Sequence, residues 1–370
     1  MDAKRIARVL AFVGILVVVS IFLVTLSAIT TKYKQSGVVI FASTYNGKPG
    51  NTAYDDSSQG GFLREYMGLA QNLTRNRCDS TFLDCNPNLC KTLPPDGAVL
   101  YVYSGRHDRA GRDVIRATFA SDSLSHKIGI RRFFVLGKSQ TNESIDLSKS
   151  LREEMVRHRD LVIGDFIDTY QNLTLKGTTA LEYISKYCSN AKWVIKMDSD
   201  VIADTPNVME YLRHHEQMQE RALVGRMMMG AAPFICPTMK KWCINRWEFP
   251  LLRRYPTYVL GWGYAFTTDL VTSMLREADK TVRYRKIADD VYMTGYLTKN
   301  LKIKFVNAGS HAKAYWDLKK TNKSMRDDRV LFLHLESDYS IHLIQSIWQQ
   351  LLEAEKNGSR LWTQKKESVD

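Results

Sequence analysis

Short apolar runs that alternate with helical stretches constrain the fold of this chain more than any other feature of its sequence. Each run is apolar through most of its length, as strands buried on both faces of a parallel sheet are. The runs are AVLYVYS (98–104), RRFFVLG (131–137), DLVIGDF (160–166) and KWVIKMD (192–198). Between the last two, Leu181, Ile184 and Cys188 recur at helical spacing. This alternation predicts an α/β domain with a mostly parallel central sheet.

Two carboxylates, Asp198 and Asp200, directly follow the last of these strands in KMDSDV (196–201). Ligands of open α/β sheets collect beyond the carboxyl ends of the strands. Oxygen ligands one residue apart can share a hard divalent cation, or divide between a metal and a ribose. Surface turns also produce this pattern, but its position behind a buried strand favours a metal and diphosphate site. Neither GxGxxG nor GxxxxGK[ST] occurs, so a dinucleotide-binding fold or P-loop is not indicated.

An uncharged apolar run, residues 9–31, precedes this domain. A helix of these 23 residues would be about 35 Å long, which is enough to cross a bilayer. Three basic residues precede the run and two follow it closely, which favours a cytosolic N-terminus. We therefore predict a cytosolic tail (1–8), a transmembrane signal anchor (9–31) and a luminal remainder. A signal peptide cleaved near SAIT is the alternative.

The cysteines and glycosylation motifs agree with a luminal location. The six cysteines are an even number, as disulfide pairing in an oxidising compartment requires, although buried free thiols are the alternative and the pairing is not determined. Five N-x-S/T sequons occur, at Asn72, Asn142, Asn172, Asn322 and Asn357. Residues 32–96 lack sustained periodicity and hold three of the cysteines in CDSTFLDCNPNLC. We predict that they form a luminal stem with a local disulfide, ahead of a catalytic domain at 97–370.

The chain is basic, with a net charge of +13, of which the tail contributes only +2. Nucleic acid is the usual partner of such a charge, but a luminal protein rarely meets it. Nucleotide phosphates or acidic glycans are the partners that fit, and a merely solvated basic surface is the alternative.

Six segments, taken in order along the chain, carry a family resemblance. They are GRDVIRATF (111–119), FFVLG (133–137), GDFIDTYQNLTLK (164–176), KMDSDV (196–201), YPTYVLGWGYAF (255–266) and ADDVYMTG (288–295). Between about Tyr101 and Trp348 the chain thus resembles the Golgi β1,3-glycosyltransferases, the family of β1,3-galactosyltransferases and β1,3-N-acetylglucosaminyltransferases.

The resemblance implies a GT-A-like nucleotide-sugar transferase fold, a UDP-sugar donor and a divalent cation, usually Mn²⁺. It also implies inversion at the anomeric carbon and a β1,3 product, with galactose as the expected sugar. The acceptor would be a glycan on a glycoprotein, glycolipid or proteoglycan. The location would be the Golgi membrane, in a single-pass type II arrangement.

Carried over residue by residue, the resemblance assigns a general base and a set of metal ligands. Asp290 stands at the position of the base, which takes the proton of the acceptor hydroxyl. Its alternative is a helix N-cap. Asp200 is the expected direct metal ligand, and Asp198 is expected to bind the ribose or a metal-bound water. His334 in LFLHLE is expected to join the metal, with a satisfied core histidine as the alternative.

Other positions are expected to contact the donor. Arg112 and Arg116 would clamp the uridine or the diphosphate, because a guanidinium fork suits phosphate oxygens. Arginines on a solvated helix face are the alternative. Gly261 and Gly263 would let backbone approach a sugar, and Trp262 would stack on it; a plain turn with a core tryptophan is the alternative.

Four positions depart from the family pattern. Ser199 replaces the middle Asp of a triple, Phe119 stands where Trp is usual, Gly177 replaces a Thr, and Asp289 replaces a Glu before the predicted base. Because of these departures, a second hypothesis remains, in which the protein is a catalytically silent relative that binds glycans or assists another transferase. The joint presence of Asp198, Asp200 and Asp290 favours the enzyme. A metal-dependent hydrolase or phosphotransferase is a third reading, but a distinct second-metal cluster is missing from the sequence pattern.

Overall fold

The structure, a computed structural model, describes residues 78–139, 145–233, 235, 244, 253–281, 287–309, 311–315, 330–335 and 341–356. The strands are β1 (Phe82–Asp84), β2 (Ala98–Tyr103), β3 (Ile130–Lys138), β4 (Leu161–Ile167), β5 (Trp193–Asp198), β6 (Val201–Ala203), β7 (Ala222–Met228), β8 (Tyr258–Thr267), β9 (Lys304–Asn307), β10 (Ala312–Tyr315) and β11 (Phe332–Leu335). The helices are α1 (Arg109–Ala117), α2 (Asp122–Ile128), α3 (Ile145–His158), α4 (Leu173–Tyr187), α5 (Thr205–His214), α6 (Val271–Lys280) and α7 (Ile341–Lys356). A π-helical turn spans Val291–Tyr296.

The central sheet has eight strands in the order β1-β4-β3-β2-β5-β8-β7-β9. Strands β4, β3, β2 and β5 are parallel to one another, while β8 runs antiparallel between β5 and β7. The four strands predicted from apolar runs are β2 to β5, each within one residue at either end. The prediction of an α/β domain with a mostly parallel sheet is therefore confirmed.

The sheet separates two hydrophobic cores. The position of strand β2 between them explains why its sequence is continuously apolar. Ala98, Leu100 and Val102 face one core, with residues of α1, α5 and α7. Val99 and Tyr101 face the other core, with residues of α4 and α6. Because both faces are covered by helices, every position of the strand is buried.

A second sheet has three strands in the order β10-β11-β6. Its strand β6 begins one residue after Asp200, and β11 pairs antiparallel with it, so that His334 lies opposite Val201. This pairing joins two segments that are far apart in the sequence.

Residues 78–96, the last part of the predicted stem, are tied to the α/β domain. Strand β1 pairs antiparallel with β4. One disulfide, Cys78–Cys85, is local, and a second, Cys90–Cys188, joins this segment to the end of α4. The disulfide prediction is confirmed for these four cysteines, and Cys236 and Cys243 lie outside the described residues.

The predicted tail and membrane anchor, residues 1–31, also lie outside the described residues. Within the part of the chain that the structure describes, no helix is long and apolar enough to cross a membrane.

Candidate active site

The candidate site lies at the carboxyl edge of the central sheet, where β5 ends in Asp198. Strands β2 and β5 are parallel and in register, with Tyr103 opposite Asp198. Strand β8 runs back along the other side of β5 and places Gly263 opposite Met197. The π-helical turn that follows Asp290 packs against β8. Four segments, which are β2, β5, β8 and the π-helical turn, therefore converge on this edge.

Asp198 faces a buried lysine. Its Oδ1 atom lies 2.5 Å from Nζ of Lys196, two residues earlier on β5, and its side chain is 35% exposed. Partial burial, together with the charges of Asp289 and Asp200, raises the pKa of Asp198 to about 6, while the Lys196 charge acts in the opposite direction. Asp198 thus belongs to a tightly packed group of charges.

Asp200 faces His334 instead. Its Oδ2 atom lies 3.5 Å from Nε2 of His334, whose ring stacks on the Trp262 indole with centroids 5.9 Å apart and planes at 14°. Burial acts to raise the pKa of Asp200, but the hydrogen bond and charge of His334 outweigh it and hold that pKa below its usual value. The Trp262 ring is therefore packed beside the histidine at the edge of the site.

The residues present fit a divalent cation bound partly by the protein and partly by substrate. The Oδ1 atom of Asp200 is buried, yet it accepts no hydrogen bond from the described residues. Such an atom is costly unless a cation or another donor reaches it. Among the described residues, no three His, Cys, Asp or Glu side chains form a complete metal cage. Cations that assist phosphate chemistry often take only one or two carboxylates and complete their shell with phosphate oxygens and water.

Asp290 is held by two backbone N–H groups. Its Oδ1 accepts from the N–H of Val291 at 2.7 Å, and its Oδ2 accepts from the N–H of Gly261 at 3.1 Å. Burial and the neighbouring Asp289 carboxylate raise the pKa of Asp290 to about 7, against the effect of these hydrogen bonds. Asp290 thus makes the N-cap hydrogen bond to Val291 that the alternative interpretation expects. Its raised pKa also suits a carboxylate that accepts a proton near neutral pH.

Gly261 and Gly263 approach protein side chains closely. A Cβ atom at position 261 would lie 3.0 Å from Cβ of Asp290, and one at 263 would lie 2.5 Å from Cγ of Phe332. Glycine at these positions lets β8 pack against Asp290 and β11. The approach of this backbone to a sugar stays a prediction.

Arg112 and Arg116 lie in buried ion pairs. Arg112, fully buried, donates from Nε and Nη2 to the two carboxylate oxygens of Glu154, at 2.7 and 2.6 Å. Arg116 donates in the same two-pronged way to Asp160, at 2.9 and 2.7 Å, and also contacts Glu154. The structure brings neither guanidinium into the group of carboxylates at Asp198, and neither is the exposed helix arginine of the alternative reading.

The loop after β2 connects this ion-pair network to the site. Arg112 donates from Nη1 to Oγ of Ser104 at 3.0 Å and to the carbonyl of Gly105 at 2.6 Å. From the other side, Lys176 donates to the carbonyl of Ser104 at 2.8 Å and pairs with Asp168 at 2.7 Å. Since Ser104 follows the β2 residue opposite Asp198, these contacts fix the loop next to the carboxylates.

Sequence reasoning assigned no role to two buried lysines, Lys196 and Lys176. Both lie within motifs quoted for the family resemblance. A lysine inside WVIKMD, a run buried on both faces, was a usable signal, because a charged residue is buried there only with partners. Lys176 gave no such signal, since it lies on an amphipathic helix, where a lysine is expected on the exposed face.

Open α/β sheets bind their ligands beyond the carboxyl ends of their strands, and these carboxylates gather at that edge. Comparison with known families makes this specific. The family described as Galactosyltransferase matches residues 110–309, more than half of the chain. The chain belongs to this galactosyltransferase family.

Three relatives illustrate the similarity. Beta-1,3-galactosyltransferase 5 of Homo sapiens is 32% identical over 211 residues, which cover 57% of this chain and 66% of the relative. Beta-1,3-galactosyltransferase 1 of Mus musculus is 29% identical over 266 residues, covering 71% and 77%. Lactosylceramide 1,3-N-acetyl-beta-D-glucosaminyltransferase A of Xenopus laevis is 28% identical over 238 residues, covering 62% of each chain. The match thus spans about two thirds of the length of these relatives.

Proposed function

We propose that this protein is an inverting glycosyltransferase that moves a hexose or N-acetylhexosamine from a UDP-sugar to a glycan acceptor in β1,3 linkage. Galactose is the proposed sugar, because relatives named beta-1,3-galactosyltransferases are among those most similar to the chain. The observation that carries the proposal is the meeting of Asp198, Asp200 and Asp290 at one edge of the sheet. In this proposal, the carboxylates that would bind a metal and the carboxylate that would accept the proton share one site.

The donor side of the site would be built from Asp200, His334 and Asp198. Asp200 offers a buried oxygen that accepts no hydrogen bond within the described part of the chain, and His334 lies beside it. These side chains would hold Mn²⁺ or another divalent cation, which when bound neutralises the charge that develops on the leaving diphosphate. Asp198, held by Lys196, would bind the ribose or a water of the cation.

The acceptor side would be built around Asp290. In a single displacement the acceptor oxygen forms a bond to the anomeric carbon while the bond from that carbon to the diphosphate oxygen breaks. The hydroxyl proton passes to Asp290, and the bonding pair leaves with UDP. A pKa of about 7 keeps Asp290 largely ionised just above neutrality and still basic enough to take the proton.

Arg112 and Arg116 take a different role in this proposal from the predicted clamp. Their donors are directed at Glu154, Asp160 and the loop at Ser104 and Gly105. We assign to Arg112 the positioning of this loop beside Asp198, and to Arg116 the support of Glu154.

The proposed location is the Golgi membrane, with residues 9–31 as a signal anchor and the catalytic domain in the lumen. The apolar N-terminal run and the disulfides between Cys78 and Cys85 and between Cys90 and Cys188 support it, because disulfides persist in oxidising compartments.

The catalytically silent alternative has less support. The two N–H groups that hold Asp290 also suit a purely structural cap, but a carboxylate with its pKa raised to about 7 is more typical of a proton-transfer site. Asp290 in this state is therefore the feature that favours catalysis over simple glycan binding.

The test is a donor and acceptor screen with the full chain purified in detergent. Each reaction contains Mn²⁺ and one of three donors, which are UDP-galactose, UDP-N-acetylglucosamine and UDP-N-acetylgalactosamine. It is run with and without simple β-glycoside acceptors, and UDP release and product mass are recorded. We expect acceptor-dependent release with one donor, and in Asp290→Asn a large loss of kcat that leaves a small measurable rate. UDP binding without transfer to any acceptor would favour the silent relative, and UDP release that needs no acceptor would favour a hydrolase.

A further inference from the structure

Lys196 is a buried ammonium at the centre of the candidate site. Its residue is fully buried, at 0% exposure. A charge in such a place requires partners of opposite charge and hydrogen-bond acceptors. Its Nζ atom has both: it pairs with Oδ1 of Asp198 at 2.5 Å, donates to the carbonyl of Gly261, and lies 4.0 Å from Oδ2 of Asp289.

Two tyrosine rings enclose the same ammonium. Nζ of Lys196 lies 4.3 Å from the ring centroid of Tyr103 and 5.9 Å from that of Tyr264, distances at which a cation is attracted to a ring face. Gly177 makes room for Tyr103, because a Cβ atom at 177 would overlap the Tyr103 hydroxyl and the sulfur of Met293. The ammonium is therefore fixed from several directions.

The partners of Lys196 belong to two halves of the site. Asp198 is part of the donor side. Gly261 and Asp289 belong to the base side, because the N–H of Gly261 donates to Oδ2 of Asp290 at 3.1 Å and Asp289 directly precedes Asp290 in the chain. A single side chain thus connects the strand end that would hold the donor with the backbone that holds the base.

We propose that Lys196 is a positioning residue that sets the location of Asp290 relative to the donor-side carboxylate Asp198. This inference rests on the proposed function, since it takes Asp290 as the base. Reacting groups must lie within a narrow range of separations, and an error of about 1 Å can cost about 100-fold in rate. Without the ammonium, Gly261 loses the contact that holds its carbonyl, and the carboxylates of Asp198 and Asp289 lose the charge between them.

The test is a double-mutant cycle in the full chain with Lys196→Met, Asp290→Asn and the double variant, measured as kcat at saturating donor, acceptor and Mn²⁺. We expect Lys196→Met to lower kcat about 100-fold when Asp290 is present, and less than about 3-fold in Asp290→Asn, because its effect passes through the base. An equal loss in both backgrounds would overturn the inference. A wild-type kcat for Asp290→Asn would instead overturn the proposed base itself.

A conservative variant keeps the test decisive if Lys196→Met does not fold. Lys196→Arg retains the charge and hydrogen-bond donors in a larger group, so we expect a loss of about 10-fold that again largely disappears in Asp290→Asn. Losses of the same size in both backgrounds would contradict the inference here too. Lys192→Met is the matched control: this lysine precedes the same strand and bonds to Gln219 at 2.8 Å, and its kcat should stay within about 2-fold of wild type.

Discussion

Arg112→Met offers a direct test of the role that the structure gives to Arg112. The substitution keeps a long apolar stem but removes the guanidinium, whose partners are Glu154, Ser104 and Gly105. The side chains of Arg112 and Glu154 are both fully buried. Removing one partner leaves a buried carboxylate and loop oxygens without their donors.

The expected loss follows from these contacts. Breaking a buried pair by deleting one partner costs about 3–5 kcal/mol, and the lower end applies because Glu154 keeps Arg116 at 2.7 Å. A loss of about 3 kcal/mol should lower Tm by about 6–12 °C in a domain of this size.

The assay is thermal and urea unfolding followed by circular dichroism, with Arg109→Met as the matched control. Arg109 lies on the same helix, but its side chain is 33% exposed and its ion pair to Asp113 spans 3.6 Å, so we expect a loss below about 1 kcal/mol. Two results would refute the structural role of Arg112. One is equal stability of the two variants. The other is an Arg112→Met protein that is as stable as wild type but binds UDP more weakly, which would support the predicted role of Arg112 as a ligand clamp.

Two further predictions concern titration and covalent links. Because Asp290 must be ionised to accept a proton, kcat should rise with pH through about 7 and then level off. Asp289→Asn removes a charge that raises the pKa of Asp290, so the rise in kcat should move to lower pH. An unchanged pH profile in this variant would contradict the assignment of Asp290 as the base. Replacing both cysteines of the Cys90–Cys188 disulfide by alanine should destabilise the protein by about 4–5 kcal/mol. The same change at Cys78–Cys85 should cost only about 2 kcal/mol. The difference arises because the first disulfide spans 98 residues of the chain and the second spans 7. Urea unfolding checks this order, and equal losses would contradict it.

The sequence predicted the parallel half of the sheet well. Strands β2 to β5 are buried on both faces, so their sequences are continuously apolar and their carboxyl ends can be identified locally. Asp198 and Asp200 could be placed at the sheet edge on this basis alone.

The rest of the site depends on contacts between distant segments. His334 reaches Asp200 only because β11 pairs with β6, and no local pattern predicts that pairing. The hydrogen bond from Gly261 to Asp290 joins residues 29 apart in the chain, and no local pattern predicts it either. Family resemblance supplied His334 and Asp290, whereas periodicity and spacing did not.

The arginines show a different limit. A helix face with Arg112 and Arg116 looks the same in sequence whether it meets solvent, phosphate or buried carboxylates. Their partners, Glu154 on α3 and Asp160 ahead of β4, lie more than 40 residues on, and only the tertiary packing brings them together.

We propose above all that Asp198, the last residue of β5, and Asp200, in the turn that follows, hold a divalent cation against a nucleotide diphosphate. Isothermal titration of UDP into the full chain, with Mn²⁺ or with EDTA, tests it most directly, in wild type, Asp200→Asn and the surface control Asp122→Asn, whose side chain is 90% exposed. We predict that Mn²⁺ strengthens UDP binding in wild type and in the control, and that Asp200→Asn loses this gain. Undiminished Mn²⁺-dependent binding by Asp200→Asn would contradict the claim.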